Sequence, residues 1–328
     1  MTTTTTAAAT AEREADIFNM FIGQDRPKRK LNYLLDNWKK SNIFPNSILV
    51  APKGCGKTAF ITALGQAMNK HKPTKAFVVK TCSGYKNLVE FMNSVVMRDV
   101  HNKECVMLLD ECHLLPVDVQ TMFLTALAPN SNNRNSYSFE DYDIDFDFRR
   151  HTFLFATTEP HKMLMPLMDR LERIDLQDYN PKHLSAIIQK VLVNAKFDKG
   201  LLPEIASVLR GNPRQAVRMA DFIRNHLVSK RKNDFTKKDW VELSLNLDIL
   251  PLGLTHNEYK VLRELDGSMG MSLTCLATRL RMTPASVRQD LELYLQSLSL
   301  IEIRTGSGRC LTRHGLDYLK KHGSEIDN

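Results

Sequence analysis

The sequence predicts an α/β domain built on a parallel sheet, then a small all-α domain, then a C-terminal winged helix. Three observations carry this. From about residue 21 to 180, short apolar runs alternate with amphipathic helical patterns. From Pro181 to about Leu250 the pattern turns helical and rich in Lys and Arg. The last stretch ends in two alternating strands around Gly306 and Gly308. A chain of 328 residues is also too long for one compact core.

The elements follow in order. The opening M-T-T-T-T-T-A-A-A-T has neither a basic start nor an apolar stretch, so residues 1–15 read as a disordered tail and not as a secretion signal. Ser47 to Ala51, Ala76 to Lys80, Cys105 to Asp110 and Thr152 to Thr158 read as buried strands with crossover helices between the first three. Together they make a domain over residues 16–180, followed by a helical domain at 181–250. Pro251 and Gly253 then punctuate the chain. Two helical patterns, a turn at Arg281 to Pro284, a long helix and the hairpin I-E-I-R-T-G-S-G-R-C-L-T give residues 251–328 the order of a winged helix.

Composition excludes several classes. Hydrophobic residues at 43% and charged residues at 25% are the balance of an ordinary globular protein, and no apolar run approaches the ~20 residues that cross a bilayer. The six cysteines form no C-x-x-C pair, which argues against a disulfide framework or a zinc site and for a reducing cytoplasm. A net charge of +8 permits phosphate contacts with nucleic acid without requiring them.

The chemistry begins where S-I-L-V runs into A-P-K-G-C-G-K-T and a helix. Gly54 and Gly56 let backbone N–H groups curl around phosphates at a helix N-terminus, where the dipole favours anions. Lys57 would reach the β- and γ-phosphates of ATP and the Thr58 hydroxyl would ligate Mg²⁺. A second apolar strand ends in Asp110-Glu111, one carboxylate for Mg²⁺ and one to polarise the attacking water. A third ends in Thr157 and Thr158, either of which could sense the γ-phosphate or simply fill a strand position. In L-M-P-L-M-D-R-L-E-R, Arg170 is expected on a helix, as a finger reaching a neighbouring subunit's ATP or as a surface arginine paired with Asp169 or Glu172. In R-G-N-P-R, Pro213 suits a first helical turn and puts Arg214 where it could report on nucleotide.

The order of these elements resembles that of AAA+ ATPases of the RuvB family, the bacterial Holliday-junction branch-migration motors, over nearly the whole chain. The carriers are F-I-G-Q at Phe21 to Gln24, D-E-C-H at Asp110 to His113, A-T-T at Ala156 to Thr158, P-L-M-D-R at Pro166 to Arg170, R-G-N-P-R at Arg210 to Arg214 and R-T-G-S-G-R at Arg304 to Arg309. The resemblance implies nucleotide contacts from Ile22, Gly23, Gly54, Cys55, Gly56, Lys57, Thr58, Ala59, Tyr179 and Pro213, with Arg170 as finger and Arg214 as second sensor. It implies DNA-backbone contacts from Arg304 and Arg309, which flank the wing's turn and are expected to project from one tip. Departures mark a divergent relative: the family's R-P-K before F-I-G-Q is missing, leaving Glu14 near the arginine position, Lys53 replaces a proline, and Ala128-Pro129-Asn130 replaces E-D-F.

Between Asn130 and Arg150, acids alternate with Tyr142, Ile144, Phe146 and Phe148, as in an amphipathic strand. The resemblance makes this insertion a hairpin that docks a RuvA-like protein; the alternative is a hairpin packed on its own domain. The resulting function is an ATP-driven motor on four-way-junction or duplex DNA, working as a homo-oligomeric ring, a hexamer by resemblance. The rival is an ATP switch of clamp-loader or replication-initiator type that binds DNA and recruits partners. An operator-reading regulator is a third reading, its helix from Pro284 to Leu300 presenting Arg288, Gln289 and Glu292. Cys55, beside Lys57 at a helix N-terminus, reads either as thiolate-prone or as a small residue that fits the loop and is shielded by nucleotide.

Overall fold

The computed structural model describes residues 17–326, so the expected tail at residues 1–15, Glu14 included, lies outside the described residues. The chain divides into two compact units, one holding the described residues up to Ile187 together with 212–215, the other 188–211 and 216–328.

In the first unit, helix α1 (Asp25–Ser41) precedes strand β1 (Ser47–Val50) and helix α2 (Lys57–His71). Then come β2 (Ala76–Thr81), α3 (Leu88–Phe91, continued by wider turns over Met92–Val100), β3 (Cys105–Asp110) and α4 (Val117–Ala126). The hairpin β4 (Arg134–Phe139) and β5 (Tyr142–Asp147) leads to β6 (His151–Thr157), the one-turn helix α5 (Met165–Met168) and β7 (Glu172–Asp175). Five strands form one parallel sheet in the order β2-β3-β6-β1-β7.

Side chains alternate across this sheet because successive strand residues point to opposite faces. Ile48, Met107, Leu109, Phe153 and Phe155 pack into the core shared with α3, α4 and the hairpin. Leu49, Val106, Leu108, Leu154 and Ala156 pack into the core shared with α1 and α2. Residues 105–109 of β3 and 153–156 of β6 are therefore all apolar, since both faces are covered there. The strand at Ala76 is not buried as expected, for it lies at the sheet's edge with Ala76 and Phe77 only partly or not at all covered by neighbours. β7 at the other edge escapes the sequence reading, as Ile174 is its one buried residue.

The second unit contains most of the helical segment and the C-terminal segment. Helix α6 (Pro181–Val191) bridges into it, followed by α7 (Leu201–Ser207), α8 (Pro213–Ser229) and α9 (Lys237–Asn246). It is not purely helical: two-residue strands β8 (Lys196–Phe197) and β9 (Asp234–Phe235) pair in parallel. Asp239 closes a capping box with Thr236 and takes Lys232 as well, which pulls its carboxyl far below the usual range despite burial. The C-terminal segment runs α10 (His256–Leu265), α11 (Leu273–Leu280), a long helix α12 (Pro284–Ser286, wider turns over Val287–Glu292, then Leu293–Ser297), β10 (Ile301–Arg304), β11 (Gly308–Leu311) and α13 (Arg313–Ile326). That is a winged helix, with the terminal α13 an addition to the sequence reading.

Candidate nucleotide site and wing

A parallel sheet gathers the carboxyl ends of its strands along one edge, and ligands of open α/β sheets bind there. Here that edge carries the P-loop after β1, Asp110 at the end of β3 and Thr157 at the end of β6. β1 and β6 are neighbours, Val50 pairing with Thr157, and β6 adjoins β3. Motifs about fifty residues apart in sequence thus become adjacent.

The P-loop curls through Gly54 (φ 86°) and Gly56 (φ 89°), left-handed values that only glycine adopts without strain. The Lys57 side chain turns back over the loop and donates to the Ala51 carbonyl at 3.2 Å. Burial lowers the pKa of its ammonium, while Glu111 and Asp110 act against that shift. The Thr58 hydroxyl donates to Asp110 Oδ2 at 2.8 Å. A hydroxyl and a carboxylate held this closely are a hard-oxygen pair that suits Mg²⁺, and glycines that leave backbone N–H groups free to curl suit phosphate. The residues present fit ATP with Mg²⁺.

The two threonines separate. Thr157 is fully buried, and its oxygen accepts the Glu159 N–H at 3.0 Å and contacts His113 Nδ1 at 3.0 Å. Thr158 is partly exposed and donates to Glu111 Oε2 at 3.3 Å. Glu111 itself sits at φ 54°, a left-handed value disfavoured for a side-chain residue, and its N–H is taken by Asp110 Oδ1 at 3.0 Å.

Around the loop, Gln24 ties the Ile22-Gly23 turn to the far end of the unit: its amide donates to the Gln177 carbonyl at 2.5 Å and accepts the Gln177 N–H at 2.9 Å. Tyr179 is buried, which raises its pKa, and it hydrogen-bonds Gln24. Ala59 is exposed in the first turn of α2. Pro213 opens α8, as expected, and the Asn212 side chain caps that helix by accepting the Arg214 N–H at 3.0 Å. The same Asn212 donates to the Lys53 carbonyl of the P-loop at 3.3 Å, and a Cβ on Gly54 would lie 2.5 Å from its Oδ1. Asn212, Gln24 and His113 all escaped assignment in the sequence reading, because what they do is tie together segments distant in the chain. Arg210, from the same R-G-N-P-R stretch, serves elsewhere: it pairs with buried Glu258 and stacks on Tyr294 at 4.0 Å.

Three expectations are corrected. Arg170 is not on a helix but in the turn after α5, donating to the Pro166 carbonyl at 2.8 Å with its Nε buried and unpartnered, while Glu172 is engaged by Lys30. Cys55 is not thiolate-prone: burial first, then Asp178, push its thiol up to about 11 against the pull of Lys57. The insertion is the expected amphipathic hairpin, with Ile144, Phe146 and Phe148 packed into their own domain's core and Tyr142 and the acids outside. On the wing, Arg304 and Arg309 do not project together. Arg309 faces Ile303 across the ladder, which puts it on the opposite face from Arg304. Arg309 is bidentate on Glu292, at 2.6 and 3.2 Å, so Glu292 is buried under the wing and not presented by α12. Arg304 stays exposed, in a surface pair with Glu302 at 2.8 Å.

A P-loop, a strand-end carboxylate pair and a polar third strand tip on a five-stranded parallel sheet are the layout of a P-loop ATPase. Residues 47–179 match the family described as ATPase family associated with various cellular activities (AAA). Over its length the chain is similar to RuvB, the Holliday junction branch migration complex subunit. It is 27% identical over 314 residues to RuvB of Pseudothermotoga lettingae, covering 93% of this chain and 88% of the relative. With RuvB of Orientia tsutsugamushi it shares 24% over 314 residues, 92% of this chain and 93% of the relative. The solved Thermotoga maritima RuvB, titled Holliday junction branch migration motor, has the same fold at a TM-score of 0.69 and 23% identity, covering 91% of this chain and 95% of the other. Among the described residues no helix is long and apolar enough to cross a membrane.

Proposed function

We propose that this chain is an ATP-driven DNA motor of the RuvB type that moves four-way junctions as a homo-oligomeric ring, a hexamer in this reading. The observation that carries the ring is topological. Arg170 precedes β7, whose first residue, Glu172, pairs level with Ser47 at the start of β1, whereas the P-loop follows the end of β1. Four strand residues, about 13 Å, therefore lie between the level of Arg170 and the edge that binds phosphate. An arginine on the opposite edge serves ATP on a neighbouring copy, where it neutralises charge developing on the transferred phosphoryl.

Within one subunit, the P-loop N–H groups and Lys57 hold the phosphates, and Thr158 and Glu111 face the side where water attacks. Glu111 accepts the water proton as attack begins, and Thr158 orients it. Thr58 and Asp110 would hold Mg²⁺, which neutralises phosphate charge when bound. Arg214 reports on the phosphates; Ile22, Gly23, Ala59 and Tyr179 line the nucleoside side. Residues 16–180, 181–250 and 251–328 act as motor, lid and DNA-binding domain, with Arg304 on phosphate and Arg309 fastening the wing to α12. A RuvA-like partner would meet the acidic outer face of the hairpin, through Asp141, Asp143 and Tyr142. A cytoplasmic location belongs to this reading.

The test is a labelled four-way junction with homologous arms, incubated with the full chain, Mg²⁺ and ATP. Conversion to duplex products that stops with a non-hydrolysable analogue supports the motor. DNA-stimulated ATP turnover with the junction unmoved would overturn it in favour of the switch.

A further inference from the structure

We propose that His113 is a positioning residue for Glu111: it fixes the carboxylate through Oε2 and so aims Oε1 at the attacking water. The proposal rests on the ATPase reading above. The His113 side chain is 5% exposed, and its ring lies among groups supplied by two strand ends. Nδ1 is 3.0 Å from Thr157 Oγ1 and 3.5 Å from Glu111 Oε2, while Nε2 is 3.4 Å from Glu159 Oε1. With the proton on Nδ1, the ring donates to Thr157 Oγ1 and brings the same N–H beside Glu111 Oε2. Thr158 donates to the same Glu111 oxygen at 3.3 Å. The Thr158 hydrogen bond and the His113 ring at ion-pair distance, both on Oε2, hold the carboxylate against rotation and leave Oε1 free to take a water proton.

The surroundings make the ring a rigid support. Thr157 is fully buried and also bonded to the Glu159 N–H, so it cannot shift without the strand end. Glu159 is held by Lys162 at 2.6 Å. Lys162, Glu159, His113 and Glu111 thus lie next to one another from the surface to the carboxylate that activates water. The left-handed backbone of Glu111 is a second sign that its side chain is held in place by its neighbours and not by its own preference.

The test uses the full-length chain and single-turnover hydrolysis of radiolabelled ATP, with binding followed by a fluorescent ATP analogue. His113→Ala should slow hydrolysis roughly tenfold at unchanged nucleotide affinity. His113→Asn, whose amide N–H falls near the Nδ1 position, should recover most of the rate, whereas His113→Gln, whose amide falls near Nε2, should not. In a Glu111→Gln background His113→Ala should have no further effect. If Asn and Gln behave alike, or if the Ala effect multiplies undiminished with Glu111→Gln, the positioning role is overturned. Should His113→Ala fail to fold, the Asn and Gln comparison decides. A Glu111→Gln variant that hydrolyses ATP at the parent rate would instead sink the assignment of Glu111 as the base, and a parent chain without ATP turnover would sink the ATPase reading on which this rests.

Discussion

The carboxyl edge of the sheet and the wing were read from motifs of equal apparent quality, yet they differ in what those motifs became. At the sheet edge, the ends of β1, β3 and β6 bring Thr58 against Asp110 and Thr158 against Glu111. On the wing, two arginines five residues apart went to opposite faces, one to solvent and one to buried Glu292. A parallel sheet forces every strand to end on the same edge, so a residue at a strand end has its destination set by topology. In an antiparallel hairpin the destination depends on register, and a one-residue change reverses it.

The comparison can be broken most severely at Arg170. Arg170→Ala should reduce ATP turnover by about 10³, while its own nucleotide binding is retained. Mixed with Lys57→Ala subunits, which keep the finger and lose the phosphate contact, it should regain part of the rate. Mixtures that stay inactive at every ratio would mean that Arg170 acts within its own subunit, and the edge argument would fall.

Glu111→Gln comes next, with hydrolysis expected to fall by roughly 10² and ATP still bound, as equilibrium dialysis can check. Normal turnover would show that the strand end does not supply the base.

The wing sharpens the contrast by stability as against binding. Arg309→Ala leaves Glu292 charged and buried and should cost about 3 kcal/mol, visible as a lower denaturant midpoint, whereas Arg304→Ala should leave that midpoint in place. Arg304→Ala should instead flatten the slope of log DNA affinity against log salt by about one unit, equally for unrelated sequences. If both variants lose affinity without loss of stability, Arg309 is a phosphate contact after all.

Cys55 carries the smallest expected effect. A thiol raised to about 11 is protonated at pH 7 to 8, and thiolate appears only as pH climbs towards 11. Iodoacetamide at pH 7.5 should leave ATP turnover unchanged over an hour, and modification should accelerate with rising pH. Rapid ATP-protected inactivation at neutral pH would show a thiolate that burial does not suppress.

Much of the protein was legible in its residues. Continuous apolar runs marked β1, β3 and β6, since a strand covered on both faces is mostly apolar. Glycines at 54 and 56 marked the loop that needs positive φ, and the helix-turn-helix-hairpin order marked the winged helix. Edge strands were poorly legible because half of each is solvent-facing: β2 was read as buried and β7 was missed. The roles of His113, Asn212 and Gln24 were invisible because each acts on backbone or side chains 44 to 159 positions away, and nothing local in the chain signals such a partner.

By itself, then, the sequence determined which residues could carry phosphate, metal and water chemistry, because those roles demand particular side chains after particular strands. Only the tertiary structure decided which of Thr157 and Thr158 meets Glu111, which edge Arg170 occupies, and whether the hairpin's aromatic residues face solvent or their own core. Those outcomes depend on strand order and register, which are set by the simultaneous burial of both faces of the sheet and not by any single segment.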